Sequence, residues 1–254
     1  MRDYLYGRNA ILETLRAARR KVYKLWIAEG VRERGPVTEV LALARQGGIL
    51  WQRVERRQLD KACGSQHHQG LVAEASGYAY AALDEILAQV ETSDEPALLL
   101  LLDCLQDPQN FGALLRTAEV VGVHGVVMPS RRSVGVTPAV VNASAGAVEH
   151  LLVAQVTNLA RSIEYLKTQD VWIVGLEDRP EARSLYSTDL DMPLALVVGS
   201  EGRGLRRLVR ERCDFVLRLP MRGRVNSLNA SVAGSVALYE VWRRRDMAPM
   251  TFDQ

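Results

Sequence analysis

The sequence predicts an α/β protein: a C-terminal domain built on a mostly parallel sheet, preceded by a small α/β domain. From residue 97 onward, near-continuous apolar runs such as LLLLLD and LALVVGS alternate with segments of helical period. That is the pattern of parallel strands covered by helices on both faces. The first 75 residues alternate shorter strand and helix patterns separated by glycine breaks. Three strand-to-helix corners also carry polar residues and glycine that a packed core does not need. The carboxyl ends of parallel strands are where such folds hold ligands.

Taken in order, residues 9–20 place Ala10, Ile11, Leu15 and Ala18 at helical spacing. VYKLWIA (22–28) alternates like a strand, residues 36–46 are helical, and residues 48–54 form a strand after a Gly-Gly break. QGLVAEA (69–75) closes this first domain, 1–76. The segment 77–96 is acidic, helical in propensity and ends in SDEP, which reads as a linker. The domain 97–254 has strands at LLLLLD, HGVVMP, EHLLVA, VWIVGLE, LALVVGS and DFVLRLP. Its helices start near Phe111, at Pro138, at Asn158 and near Leu205, and a last one runs to about Arg245. Asp107-Pro108 and Thr137-Pro138 are N-cap and N1 pairs that mark two of these starts.

The composition excludes several classes. No run of 18 apolar residues and no signal-peptide apolar region occur, so a membrane is not expected. Cys63, Cys104 and Cys213 are far apart without a CxxC, which points to a reducing, cytoplasmic setting with neither disulfides nor a metal site. The net charge of +2 is unevenly spread. Residues 1–76 hold 14 Lys/Arg against 8 Asp/Glu, residues 77–96 hold five acids and no base, and residues 200–245 hold 11 Arg against 4 acids. Two basic zones fit a polyanionic partner, although solvated helices also carry arginine runs.

At the corners, GSEGRG (199–204) has the spacing GxxGxG rather than GxGxxG, and the first strand is followed by DCLQDPQNFG, so a dinucleotide fold is disfavoured. Val198 precedes Gly199 and no histidine follows Ser200, which excludes a nucleophile elbow. What remains is a turn that a ligand approaches closely. Asn110 and Arg116 flank a helix start that suits an anion, though a cap and a surface arginine would look the same. The third corner, residues 218–229, reads RLPMRGRVNSLN between a strand and the last helix. His67, His68, His124 and His150 lie outside these corners and read as local hydrogen-bonding residues.

DPQNFGALLRTAEVVG, LALVVGSEGRGL and LPMRGRVNSLNASVAGSVALYE resemble, in order and separation, the three motifs of the SpoU (TrmH-type) branch of the SPOUT RNA methyltransferases. YGRNAILETL, VYKLWIAEG and HHQGLVAEA resemble the small L30e-like RNA-binding domain of RlmB-like members. The resemblance implies a SPOUT domain with a deep trefoil knot and a homodimer. It also implies transfer of a methyl group from S-adenosylmethionine to a ribose 2′-hydroxyl in RNA. Gly199, Leu219, Met221 and Leu228 are the implied cofactor contacts, and Asn110, Arg116, Glu201, Ser227 and Asn229 the implied catalytic group. Many relatives carry a lysine in the segment that is VVNASA (140–145) here.

In-line methyl transfer from a sulfonium needs alignment and proton removal, with no metal. A guanidinium stays protonated in water, so Arg116 reads either as a perturbed base or as a clamp for phosphate and developing alkoxide. Glu201 is expected to orient an arginine, of the same or a partner chain. Capping explains one of Ser227 and Asn229. In the last helix the large residues Leu228, Val232, Ser235, Tyr239 and Trp242 are expected to face the core. Ala230, Ala233, Gly234 and Ala237 make a small face for another helix. The resemblance favours rRNA, a guanosine of the large subunit leading. A tRNA enzyme, a non-catalytic RNA binder and a nicotinamide enzyme are the alternatives. RAARRK (16–21) and QRVERRQ (52–58) are candidate phosphate grips.

Overall fold

Alternating apolar residues near the N-terminus pair into a four-stranded sheet in the computed structural model, which describes residues 2–224 and 227–246. The strands are β1 (Arg2–Tyr6), β2 (Val22–Ala28), β3 (Leu50–Val54) and β4 (Leu71–Ser76), in the order β1-β4-β2-β3. β2 and β3 run parallel; β4 is antiparallel to β1 and β2. Helices α1 (Arg8–Ala17), α2 (Pro36–Gln46) and α3 (Arg56–Cys63) connect them. β1 and α3 were not evident from the sequence: β1 is defined by its register with β4, and Gly7 at φ 96° separates it from α1.

α1 ends three residues before the predicted limit, because Ala18 takes a left-handed conformation at φ 52°. Arg20 then turns inward, with only 1% of its side chain exposed, to pair with Asp3 and with Glu149, 3.1 Å away, while its Nε donates to Ser76 O at 2.8 Å. Burial pushes the Glu149 carboxyl up from its usual range, against the pull of Arg20. Glu149 comes from far along the chain. This unit comprises the chain through Ala79 together with Phe111–Arg116 and Gly135–His150.

The second unit comprises Tyr80–Asn110, Thr117–Val134 and the chain from Leu151. Its first helix, α4 (Leu83–Glu91), lies in the acidic segment read as a linker, yet Ile86 is fully buried in the core of this unit. A β-carbon at Gly125 would meet Ile86 Cγ2 at 2.4 Å, so glycine admits the contact. The predicted alternation then appears as β5 (Leu98–Asp103), α5 (Pro108–Val120), β6 (Gly125–Pro129), α6 (Pro138–Ala143), β7 (Val153–Val156), α7 (Leu159–Lys167), β8 (Trp172–Leu176), the two-residue β9 (Arg183–Ser184), β10 (Leu194–Gly199), α8 (Arg207–Arg212), β11 (Phe215–Arg218) and α9 (Ala230–Asp246). The run EHLLVA is divided between a 3-10 turn, Ala147–His150, and β7.

The seven strands run parallel in the order β7-β6-β5-β10-β8-β11-β9. β5 and β10 are buried throughout, as strands covered on both faces should be. Asp107 and Thr137 cap α5 and α6 as expected, accepting from Asn110 N at 2.8 Å and Val140 N at 3.4 Å. Among the described residues no helix is long and apolar enough to cross a membrane.

α9 is turned opposite to expectation. Ser231, Gly234, Ala237, Leu238 and Val241 are buried, while Val232 (49%), Tyr239 (45%) and Trp242 (38%) are exposed. Small residues let the helix lie close to the domain, and Ser235 Oγ bonds Thr117 Oγ1 of α5 at 2.8 Å. Three histidines serve local bonds. His68 Nδ1 accepts from Gly70 N, His124 Nδ1 accepts from Leu98 N, and His150 pairs with Glu13.

Candidate active site

β10 passes from an all-buried apolar run into the tight loop Ser200–Gly204, closed by Ser200 N to Gly204 O at 3.2 Å and Gly204 N to Ser200 O at 3.0 Å. Gly199 is required by space. A β-carbon there would lie 2.3 Å from Gly204 C and 2.7 Å from Leu205 N, both backbone. Gly204, at φ 63°, is held against Glu177, whose Oε1 accepts from Leu205 N at 3.3 Å. On the other side the fully buried Asp103, the last residue of β5, accepts from Arg206 N at 2.7 Å and Arg206 Nε at 2.6 Å. The loop is thus pinned from two neighbouring strands, with Glu201 exposed upon it.

Among the described residues Glu201 holds no arginine of its own chain. Its Oε1 accepts from Asn110 Nδ2 and, at 2.6 Å, from Asn229 Nδ2. Asn229 Nδ2 also donates to Asn110 Oδ1 at 2.9 Å. Asn110 does not cap α5, since Asp107 does, and its side chain is free for this bond. Asn229 performs both tasks: its Oδ1 accepts from Ser231 N at 2.9 Å and Val232 N at 3.2 Å, capping α9. Ser231 Oγ, buried, lies 2.6 Å from Asn229 Oδ1 and 3.2 Å from Asn110 Oδ1, completing a four-residue network. Arg116 is exposed on α5, in the stretch that belongs to the first unit, with no ion pair or hydrogen bond of its side chain among the described residues.

Beside the network opens a cleft of about 310 Å3. Gly199, Glu201, Leu219, Met221, Ser227 and Leu228 all line it, with Leu176, Val198 and Asp178. Leu219 is buried, whereas Met221 (36%) and Leu228 (47%) are exposed to the cleft and solvent. Ser227 lines the cleft outside the network. Sequence reasoning missed Ser231, Asp103 and Glu177. Asp103 had a signal, as the single acid ending an otherwise all-leucine strand; Ser231 had none beyond being a small polar residue in a first turn. Asn142, in the segment without lysine, donates to Tyr6 O at 3.0 Å within the first unit. No group of three His, Cys, Asp or Glu suited to a metal occurs among the described residues. Burial pushes the Cys213 thiol up to about 12.

Parallel sheet, loop-walled cleft and polar network together define an α/β enzyme with a site for a small ligand. Residues 97–239 match the SpoU rRNA methylase family, and residues 4–81 match the domain described as RNA 2′-O ribose methyltransferase substrate binding. The Bacillus subtilis (strain 168) protein YacO, named in the TrmH family of tRNA/rRNA methyltransferases, is 49% identical over 244 residues, 96% of each chain. The SpoU methyltransferase AviRb of Streptomyces viridochromogenes, solved with S-adenosylmethionine, shares the fold with a TM-score of 0.79 at 23% identity, over 96% of this chain and 90% of its own. The TrmH/SpoU tRNA-modifying enzyme of A. aeolicus has a TM-score of 0.55 at 25% identity, over 64% of this chain and 83% of its own.

The chain belongs to the SpoU (TrmH) family of S-adenosylmethionine-dependent RNA methyltransferases.

Proposed function

We propose that this protein methylates a ribose 2′-hydroxyl of RNA, with a guanosine of large-subunit rRNA as the target. The observation that carries the reading is the Asn110–Glu201–Asn229–Ser231 network beside a cleft walled by the glycine loop. The rRNA assignment rests on the first unit: solved structures named for tRNA modification align with only 59% and 64% of this chain.

The cleft suits S-adenosylmethionine, which when bound supplies an electrophilic methyl group. Gly199, Leu219, Met221 and Leu228 offer apolar surface and backbone groups to a flat heterocycle, and Asp178 is an exposed acceptor in the same cleft. Glu201 fixes the two asparagine amides, so its role is to orient rather than to take the proton. Ser227 contributes a hydroxyl at the cleft wall. Arg116, whose side chain has no ion pair or hydrogen bond among the described residues, holds the target phosphate and stabilises the developing alkoxide while water removes the proton. The exposed Val232, Tyr239 and Trp242 make an apolar face for a second copy, so the protein works as a homodimer. A knotted backbone and a cytoplasmic setting complete the reading.

Calorimetric titration with S-adenosylmethionine and, separately, NAD tests the cleft. The reading expects binding of the methyl donor alone. Binding of NAD, or methylation of tRNA in preference to rRNA by the purified protein, would contradict it.

A further inference from the structure

The arginines of residues 200–212 exceed what the polar network uses. Across the Ser200–Gly204 loop from the first cleft lies a second, of about 880 Å3. Ser200, Glu201, Arg203 and Gly204 line both, so the two clefts share Glu201. Arg132, Arg203, Arg206, Arg207 and Arg210 line it with two carboxylates, Asp107 and Glu201. Both acids are committed, Asp107 to capping α5 and Glu201 to the two asparagines.

Three of the arginines are balanced by acids outside the lining: Arg206 by Asp103 at 2.6 Å, Arg207 by Glu211 at 2.9 Å and Arg210 by Glu177 at 3.2 Å. Arg132 and Arg203 are exposed and form no ion pair among the described residues. Arg132 is held in place by its backbone. It sits at φ 62°, a conformation side chains rarely adopt, with its carbonyl accepting from Gln106 Nε2 at 3.4 Å. Val134 N donates to Leu105 O at 2.9 Å, tying the same loop to the corner after β5.

A small anion calls for donors converging on one point. Here guanidinia from two separate chain segments, Arg132 on one side and residues 203–210 on the other, are spread around a wide cleft, which suits successive phosphates of a strand. We propose that this cleft holds the phosphodiester backbone of the RNA beside the target nucleotide, with Arg132 and Arg203 as its phosphate grips. The proposal rests on the RNA methyltransferase reading. Such contacts position the strand without reading its bases.

Fluorescence anisotropy with fluorescein-labelled polyuridine across a salt series tests this, on wild type, Arg132→Ala, Arg132→Lys and Arg132→Ala/Arg203→Ala. Each lost phosphate contact should lower the slope of log affinity against log salt by about 0.7, so the double variant should lose about 1.4. Arg132→Lys should keep the slope, and Arg132→Ala should keep its melting temperature and bind S-adenosylmethionine within about twofold of wild type, since Arg132 lines only the second cleft. A double variant that retains wild-type RNA affinity and slope, while wild type binds and methylates RNA, would overturn the grips alone. Weaker methyl-donor binding in Arg132→Ala would overturn the separation of the clefts. A wild type that binds no RNA would overturn the proposal together with the reading beneath it.

Discussion

Replacing Gly199 by alanine tests the glycine loop directly. The added carbon would lie 2.3 Å from Gly204 C and 2.4 Å from Gly204 O. An ordinary contact is about 3.4 Å, so the loop must retreat by roughly 1 Å, and no rotamer change can relieve a clash with backbone. Overpacking of this kind costs about 1–3 kcal/mol. In a chain of this size that lowers the melting temperature by about 2–12 °C. A shift of ~1 Å at a site of alignment costs about 100-fold in rate, so kcat/KM should fall by that order and methyl-donor affinity should weaken. Gly202→Ala is the control. At φ 73° with nothing within 4 Å it carries backbone strain alone, about 1–2 kcal/mol, and should leave donor affinity near wild type. Differential scanning calorimetry and isothermal titration read both quantities. A Gly199→Ala protein with the melting temperature and donor affinity of wild type would refute the close-packed loop.

Further expectations concern the network, the arginine, pH and assembly. Ser231→Ala removes one hydroxyl donor shared between Asn229 and Asn110; at about 1 kcal/mol for such a bond, kcat should drop ~5-fold with the fold intact. Arg116→Lys should recover most of the rate lost in Arg116→Ala if charge at the phosphate is what matters, and pH–rate profiles of both should keep the wild-type shape. An acid limb that shifts in Arg116→Lys, the ascending side of the profile set by ionisation of a base, would instead make Arg116 the base. Burial lowers the His124 pKa from its ordinary value of 6.5, so the neutral ring is the folded form. Stability from His124 is therefore present above about pH 6.5 and lost as pH falls below it. His124→Asn, which still offers an acceptor to Leu98 N, should flatten that slope in urea titrations at pH 5–7. If the proposed homodimer pairs through the exposed face of α9, Tyr239→Asp should run as a monomer in analytical ultracentrifugation where wild type runs as a dimer.

Legibility followed the range of the interactions. β5, β10 and the capped starts of α5 and α6 depend on local apolar runs and on Asp-Pro or Thr-Pro pairs, and each was readable residue by residue. β1 depends on a partner 70 residues away, from Tyr4 to Glu74, and its short sequence gave no separate signal. The acidic charge of residues 77–96 concealed Ile86 and Leu87, which supply the core with one helix face. In α9 the two faces were both visible, but which one faces inward is set by how closely the helix must approach β10 and α5. Most of the candidate site came from the motif resemblance. The bonding within it did not: that Glu201 engages amides, that Ser231 joins Asn229 to Asn110, and that Asp103 pins the loop are facts of three-dimensional register.

The position of the methyl group on RNA bears most directly on the whole account. RNA incubated with the protein and S-adenosylmethionine carrying labelled methyl is hydrolysed in alkali, which cleaves wherever a 2′-hydroxyl is free. The account predicts label in alkali-resistant dinucleotides from large-subunit rRNA, lost with Glu201→Ala and Asn229→Ala. Label released in single nucleotides would place the methyl on a base and contradict ribose methylation.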